Sequence, residues 1–175
     1  KQHSYMMNYD MGFNKECLLT ANIPVSSMDE RDAFSSELLN NPNIKEVAWS
    51  QDRMVAEMHM TWGRWHHGEQ MMLTVMPVSW NFLQVMGIEV FEGRDFLPSD
   101  EKGDGAIILN EYAKNKYNLN LEEVIEWNGT PFPATGFCRD FHFKPLHEES
   151  DAFAFYIYDS EVLTKYFPTP HLTLR

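Results

Sequence analysis

Ala106-Ile107-Ile108-Leu109, then Asn110-Glu111-Tyr112-Ala113-Lys114-Asn115-Lys116-Tyr117, then Val124-Ile125-Glu126-Trp127, Asn128-Gly129 and Thr130, is the stretch that decides the fold class. An apolar run without alternation reads as a strand buried on both faces. Asn110 follows at once as an N-cap, with the Glu111 carboxylate in the first turn, so a helix extends to about Tyr117. Asn128-Gly129 between two β-prone runs signals a type I′ hairpin, because both central residues need positive φ. Strand, short helix and hairpin crowd into one short span. That irregular interleaving fits an α+β domain, a mixed sheet with short interleaved helices, better than a doubly wound α/β fold.

Working outward, Leu18 to Ile23 reads as a first strand ended by Pro24. Ser26 and Ser27, with Asp29 and Glu30 behind them, mark a helix start. Ala33, Phe34 and Leu38 continue that helix at helical spacing, and Asn40-Asn41-Pro42-Asn43 stops it. Ile44 to Ser50 alternates as a strand. His59 to Glu69 breaks the pattern and suggests a hairpin tip or mobile loop, after which Gln70 to Pro77 returns to strand character. Ser79 is placed to cap a short helix, Trp80 to Met86, closing on Gly87 as the left-handed C′ residue. Ile88 to Phe91 is a short strand, and Gly93-Arg94-Asp95 reads as a turn with a local ion pair. Pro131 and Pro133 push their strand toward a sheet edge. Phe137 to Phe143, Phe153 to Tyr158 and His171 to Leu174 read as further strands. No internal repeat is present. The expected organisation is one domain over 1–175, with 50–75 an inserted hairpin or loop region that would divide it into two subdomains.

The chain has 175 residues, 43% of them hydrophobic, with 12 Phe, 7 Tyr and 5 Trp, ample for a packed core. Asp and Glu number 26 against 14 Lys and Arg, a formal charge of −12. That field repels phosphate backbones and anionic headgroups, and no basic stripe relieves it, so nucleic-acid binding is not expected. No run approaches the about 20 apolar residues of a membrane helix. A secretory leader is not recognisable at Lys1-Gln2-His3, which an excised domain would lack in any case. Cys17 and Cys138 lack CxxC or metal-ligand spacing and read as free buried thiols, with a bridge left open.

Chemical motifs are scarce. Neither GxGxxG nor GxxxxGK[ST] occurs, so the chain itself is not expected to bind ATP, and GxSxG is missing too. No cofactor is expected. His59, His66, His67 and Glu69, and separately His142 and His147 with Asp140 and Glu148, raise a metal-dependent hydrolase as an alternative. Adjacent His66 and His67 would point to opposite faces of a strand, which disfavours it. In Asp140-Phe141-His142-Phe143, alternation puts both rings on one face, a simpler reading than a catalytic Asp-His pair. Asn128-Gly129-Thr130 formally matches a glycosylation acceptor, but the hairpin accounts for it. Trp62, Arg64 and Trp65 stand apart: exposed Trp and Arg dominate binding hot spots, so these are nominated as a partner-contact surface.

Several stretches together resemble the extracytoplasmic core domain of MacB/FtsX-like ABC transporter permeases. They are Asp10-Met11-Gly12-Phe13-Asn14-Lys15, Val78-Ser79-Trp80-Asn81-Phe82-Leu83, Met86-Gly87-Ile88, Glu92-Gly93-Arg94-Asp95-Phe96, Ile107-Ile108-Leu109-Asn110-Glu111 and Gly136-Phe137-Cys138-Arg139-Asp140-Phe141-His142-Phe143. Their order and spacing cover most of the chain from Asp10 to Phe143. The segment from Met58 to Glu69 and everything after Leu146 carry little of the pattern.

The resemblance implies a domain between two membrane helices of a permease, on the periplasmic side of the cell membrane. It implies an ATPase subunit or domain acting indirectly through those helices, a periplasmic adaptor or lipoprotein as partner, and a dimeric full transporter. It marks Gly87, Gly93, Arg94, Asp95, Asn110, Asp140, Phe141 and Phe143 as turn-forming and packing residues, with no catalytic, cofactor or metal site. A free-standing secreted module that binds a ligand or peptide is the alternative of a different class.

Overall fold

The apolar run at 106–109 becomes an interior strand, buried at every position. The computed structural model describes residues 11–14, 18–25, 27–56, 59–66, 68–102, 105–121, 124–127, 130–143, 151–157 and 170–175. The elements run β1 (Leu19–Asn22), α1 (Met28–Leu39), β2 (Val47–Ser50), β3 (Met60–His66), β4 (Glu69–Pro77), α2 (Phe82–Met86), β5 (Val90–Gly93), a 3-10 turn (Asp100–Lys102), β6 (Ala106–Asn110), α3 (Glu111–Tyr117), β7 (Val124–Trp127), β8 (Thr130–Cys138), β9 (Phe153–Ile157) and β10 (His171–Leu174).

These strands form two sheets. The larger has the order β3-β4-β9-β6-β8-β5, with β7 paired to β8 outside that path. It is mixed: β4 is parallel to β9 and β6 to β8, while β6 is antiparallel to β9. The smaller sheet, β1-β10-β2, is antiparallel throughout. The fold is α+β, as the irregular interleaving of strands and helices requires.

Alternation along β9 and β6 divides the large core in two. Ile108, Phe153 and Phe155 face a cluster with Phe82, Phe96, Phe141 and Phe143, while Ile107, Leu109 and Tyr156 face a second with Trp62, Leu73 and Phe137. The first is rich in aromatic contacts, with Phe143 4.5 Å and Phe141 5.1 Å from Phe153 between ring centroids. A third, smaller core lies under α1, where Phe34 and Leu38 cover Val47, Trp49 and Leu172. No helix among the described residues is long and apolar enough to cross a membrane.

Caps behave largely as expected. Ser27 Oγ accepts from Glu30 N at 3.2 Å to start α1, and Asn110 Oδ1 accepts from Ala113 N at 3.1 Å to start α3. Gly87 closes α2 at φ 68°, where a side chain would press on Asn14. Ser79 is a correction. The helix begins at Phe82 behind Asn81, which makes no side-chain cap bond, and Ser79 Oγ instead accepts from Trp49 N at 2.9 Å. The hydroxyl thus satisfies a backbone donor of β2 instead of one at the helix start.

Other expectations shift. Strands begin at Val47 and Val90, later than Ile44 and Ile88, and β8 ends at Cys138, short of Phe143. The 59–69 segment is mostly the ordered pair β3–β4. β8 is interior only from Ala134 onward, between β6 and β5; Pro131 and Pro133 sit in its first arm, which pairs with β7 alone among the described strands, as an edge-like position requires. The missing N–H groups therefore interrupt no ladder bond to β6. Trp127 pairs with Thr130, which gives the expected hairpin. Its Asn128-Gly129 turn, together with Asp10, Lys15, Cys17, Ser26 and Tyr158, lies outside the described residues.

Asn110 ties four segments together. Its Oδ1 also accepts from Phe153 N at 2.8 Å, and its Nδ2 donates to Asp140 Oδ1 at 2.9 Å and Asp151 O at 3.0 Å. With the cap bond, both donors and both acceptor sites are filled. Asn110→Ala would strand two buried N–H groups and is expected to lower unfolding free energy by about 2–4 kcal/mol in urea denaturation. A loss of only a few tenths would mean this node does not organise the fold.

Candidate functional site

The nominated contact residues lie on the β3–β4 hairpin, where strand periodicity separates them. Trp62 pairs with Leu73 and points inward, as does Arg64 two positions on; Trp65 points outward. Trp62 and Arg64 are buried, each at 8% exposure, whereas Trp65 is 72% exposed. The trio is therefore not one exposed surface.

The two inward residues form a stack. The Trp62 ring lies 4.4 Å from Tyr156 between centroids, and the Arg64 guanidinium carbon sits 4.4 Å above the same indole. Arg64 NH1 donates to its neighbour's carbonyl, Gly63 O, at 2.7 Å. The cation is thus folded down on the aromatic face rather than presented to solvent.

The outward face carries Thr61, Gly63 and Trp65 on β3 and Gln70 and Met72 on β4, with Met72 46% exposed. A Cβ at Gly63 would approach Gln70 Nε2 to 3.2 Å and Met72 Sδ to 3.5 Å, so the glycine lets those side chains close over the strand beside Trp65. Tyr117 Oη, reaching from α3, accepts from Met72 N and donates to Met72 O, at 3.0 and 3.1 Å. The result is an uncharged apolar ridge, Trp65 and Met72, on a braced hairpin of an acidic domain. Nothing in the sequence flagged Met72, which reads as one apolar position in a strand.

The motif residues fall where packing and turns need them. Gly93 adopts φ 78°, and a side chain there would lie 2.4 Å from Thr135 O. Arg94 forks onto Asp100 at 2.8 and 3.0 Å and reaches only the backbone oxygen of Asp95, so the expected Arg94–Asp95 ion pair is replaced by Arg94–Asp100. Burial alone would raise the Asp100 carboxyl, but the Arg94 fork and the Leu97 N–H outweigh it and hold it below the ordinary range. Asp95 accepts from Phe96 N at 2.7 Å and is pushed up by burial. Asp140, also raised chiefly by burial, accepts from Tyr112 N at 2.8 Å as well as from Asn110. Phe141 and Phe143 are buried as alternation requires.

Reactive groups are used structurally. Cys138 is a free, fully buried thiol driven upward by desolvation, the opposite of an activated nucleophile. His59 packs edge-on against Phe143 and Phe153 at 5.9 and 5.7 Å. Among the described residues no group of His, Cys, Asp and Glu is arranged to hold a metal. His67, His147, Glu148 and the Glu69 side chain lie outside them.

One concavity remains. A small, solvent-open cleft of about 40 Å³ lies between the two sheets, lined mainly by Val25, Met28, Trp49, Pro77 and Val78, with Arg31 at its wall. Sequence reading passed over Arg31, since it sits in a helical turn and its partner Glu101 lies 70 positions away.

No family model matches this sequence, and no curated protein matches it. Solved structures do. The periplasmic region of MacB from Actinobacillus actinomycetemcomitans superposes with a TM-score of 0.63, at 14% identity, over 94% of this chain and 76% of that one. The chain has the fold of this transporter domain. The extracellular domain of the noncanonic ABC-type transporter YknZ from Gram-positive bacteria gives 0.56 at 18% identity, covering 90% of this chain and 83% of that one. A domain from a Porphyromonas gingivalis protein gives 0.59 at 10% identity, covering 90% and 72%. The MacB-like fold thus covers nearly the whole chain, more than the span from Asp10 to Phe143 that carries the sequence resemblance.

The separation of faces gives a direct test. Trp62→Ala is expected to cost about 3–5 kcal/mol of stability, and Trp65→Ala no more than about 0.5 kcal/mol, by chemical denaturation. Equal costs would show that Trp65 is covered and no contact surface.

Proposed function

We propose that this chain is an extracytoplasmic domain of an ABC transporter permease, passing ATP-driven motion from membrane helices to a substrate or partner protein outside the membrane. The observation that carries the reading is the match over 94% of the chain to the MacB periplasmic region. Nucleotide hydrolysis belongs in this account to a separate ATPase subunit or domain, coupled only through the membrane helices. The engaged state of Asn110, Asp140 and Arg94 agrees with a body whose polar groups hold shape.

The partner-contact role narrows to Trp65, with Met72 beside it, while Trp62 and Arg64 hold the hairpin from beneath. A large exposed indole on a stiff support loses little entropy when a partner covers it. The partner is a periplasmic adaptor or lipoprotein, and the full transporter is a dimer. A second reading, a free-standing ligand- or peptide-binding module, would place its ligand at the apolar cleft between the sheets, which is small for that purpose.

The test is retention of the cognate adaptor on the detergent-purified transporter. Trp65→Ala is expected to weaken it by about 10- to 30-fold, with ATP turnover by the cytoplasmic subunit retained. Unchanged retention would refute the contact assignment. A chain found without flanking membrane helices would favour the free-standing module.

A further inference from the structure

The two sheets meet along a seam. On its side away from β10, β2 bonds to residues 77–81. Gln51 N donates to Pro77 O and Asn81 Nδ2 to Val47 O, both at 2.9 Å, while Trp49 exchanges bonds with Ser79 at 2.8 and 2.9 Å. Beside the seam lies the apolar cleft, with Val25, Met28 and Trp49 on one wall and Pro77 and Val78 on the other. Packing between the two halves is looser at this cleft than where Ala48 of β2 enters the large core.

Among the described residues an ion pair crosses the gap, and elsewhere Arg175 NH2, beyond β10, donates to Asn14 O at 2.8 Å. Arg31 NH2, on α1, lies 3.3 Å from Glu101 Oε2, in the 3-10 turn ahead of β6, with side chains 9% and 15% exposed. Parting a buried ion pair normally strands two desolvated charges. Here each partner has a substitute on its own side. Arg31 also reaches Asp32 Oδ1 through Nε and NH2 at 3.3 and 3.4 Å, and Glu101 Oε1 accepts from Trp80 N at 3.1 Å. Asp32 travels with α1, and Trp80 stays with the large sheet. The pair can open without leaving either charge bare.

We propose that Arg31 and Glu101 form a latch holding α1 and the three-stranded sheet against the large sheet, and that the chain pivots about the 47–51/77–81 seam when the latch parts. The pivot is a property of the chain itself, whether or not it serves a transporter. It divides the molecule into two bodies of unequal size with one hinge strand, β2, between them.

Spin labels at Leu39→Cys on α1 and Leu97→Cys beside the large sheet test it, in a chain carrying Cys17→Ser; both sites are exposed, and Cys138 is too buried to react. The unsubstituted seam is expected to give one narrow distance. Glu101→Gln keeps an acceptor for Trp80 N but removes the charge, and should add a second, longer distance while the chain stays folded. Arg31→Gln should do the same, and the double substitution should add nothing beyond either single one. A single narrow distance in folded Glu101→Gln would overturn the latch. So would failure of Glu101→Gln to fold, because the pair would then be a structural necessity, or a broad distribution already present with Arg31 and Glu101 intact.

Discussion

β2 is buried on both faces, and the two halves of the molecule depend on that one strand. Val47 and Trp49 point into the small core under α1, while Ala48 points into the large aromatic core. Trp49 is held three ways: its N–H and carbonyl exchange bonds with Ser79, and its Nε1 donates to Ser35 Oγ at 2.8 Å. Ser35 Oγ in turn donates to Arg31 O, also at 2.8 Å, so a single chain of bonds runs from the large sheet through β2 to α1. Displacing this strand by one residue would exchange its two faces and put a tryptophan where only Ala48 fits.

That arrangement is in keeping with the proposed transmission role. A catalytic site needs groups with free valence converging on open space. The carboxyls raised by burial, Asp95 and Asp140, accept backbone N–H groups, Asp100 is held by the Arg94 fork, and the shifted thiol is sealed in the core. What faces solvent in an unusual way is apolar, the Trp65 and Met72 ridge. Stiffness beneath that ridge comes from the Tyr156–Trp62–Arg64 stack and from Tyr117 closing on Met72. A displacement delivered to the large sheet would reach the ridge with little loss.

Local signals in the sequence were legible because they act over a few residues. Asn110 and Ser27 cap helices through bonds to positions three residues on, Gly87 closes a turn, and Phe141 and Phe143 follow a period of two. What failed to show were bonds spanning long separations. Ser79 looks like a cap until Trp49, 30 positions earlier, arrives beside it. Arg94 looks paired with its neighbour until the 97–100 turn brings Asp100 round. The 59–69 segment reads in sequence only as a hairpin tip or mobile loop because glycine, histidines and two tryptophans obscure its alternation. In the folded strand that same alternation buries Trp62 and Arg64 and leaves only Trp65 outside.

Placement outside the cytoplasmic membrane with the indole face open is the claim on which the account rests most heavily. The direct measurement is labelling of Trp65→Cys, with Cys17→Ser, by a membrane-impermeant maleimide on spheroplasts carrying the full natural protein. The account predicts modification before lysis, with Cys138 silent. Modification only after lysis would contradict it, since a domain facing the cytoplasm could not carry motion to a partner outside.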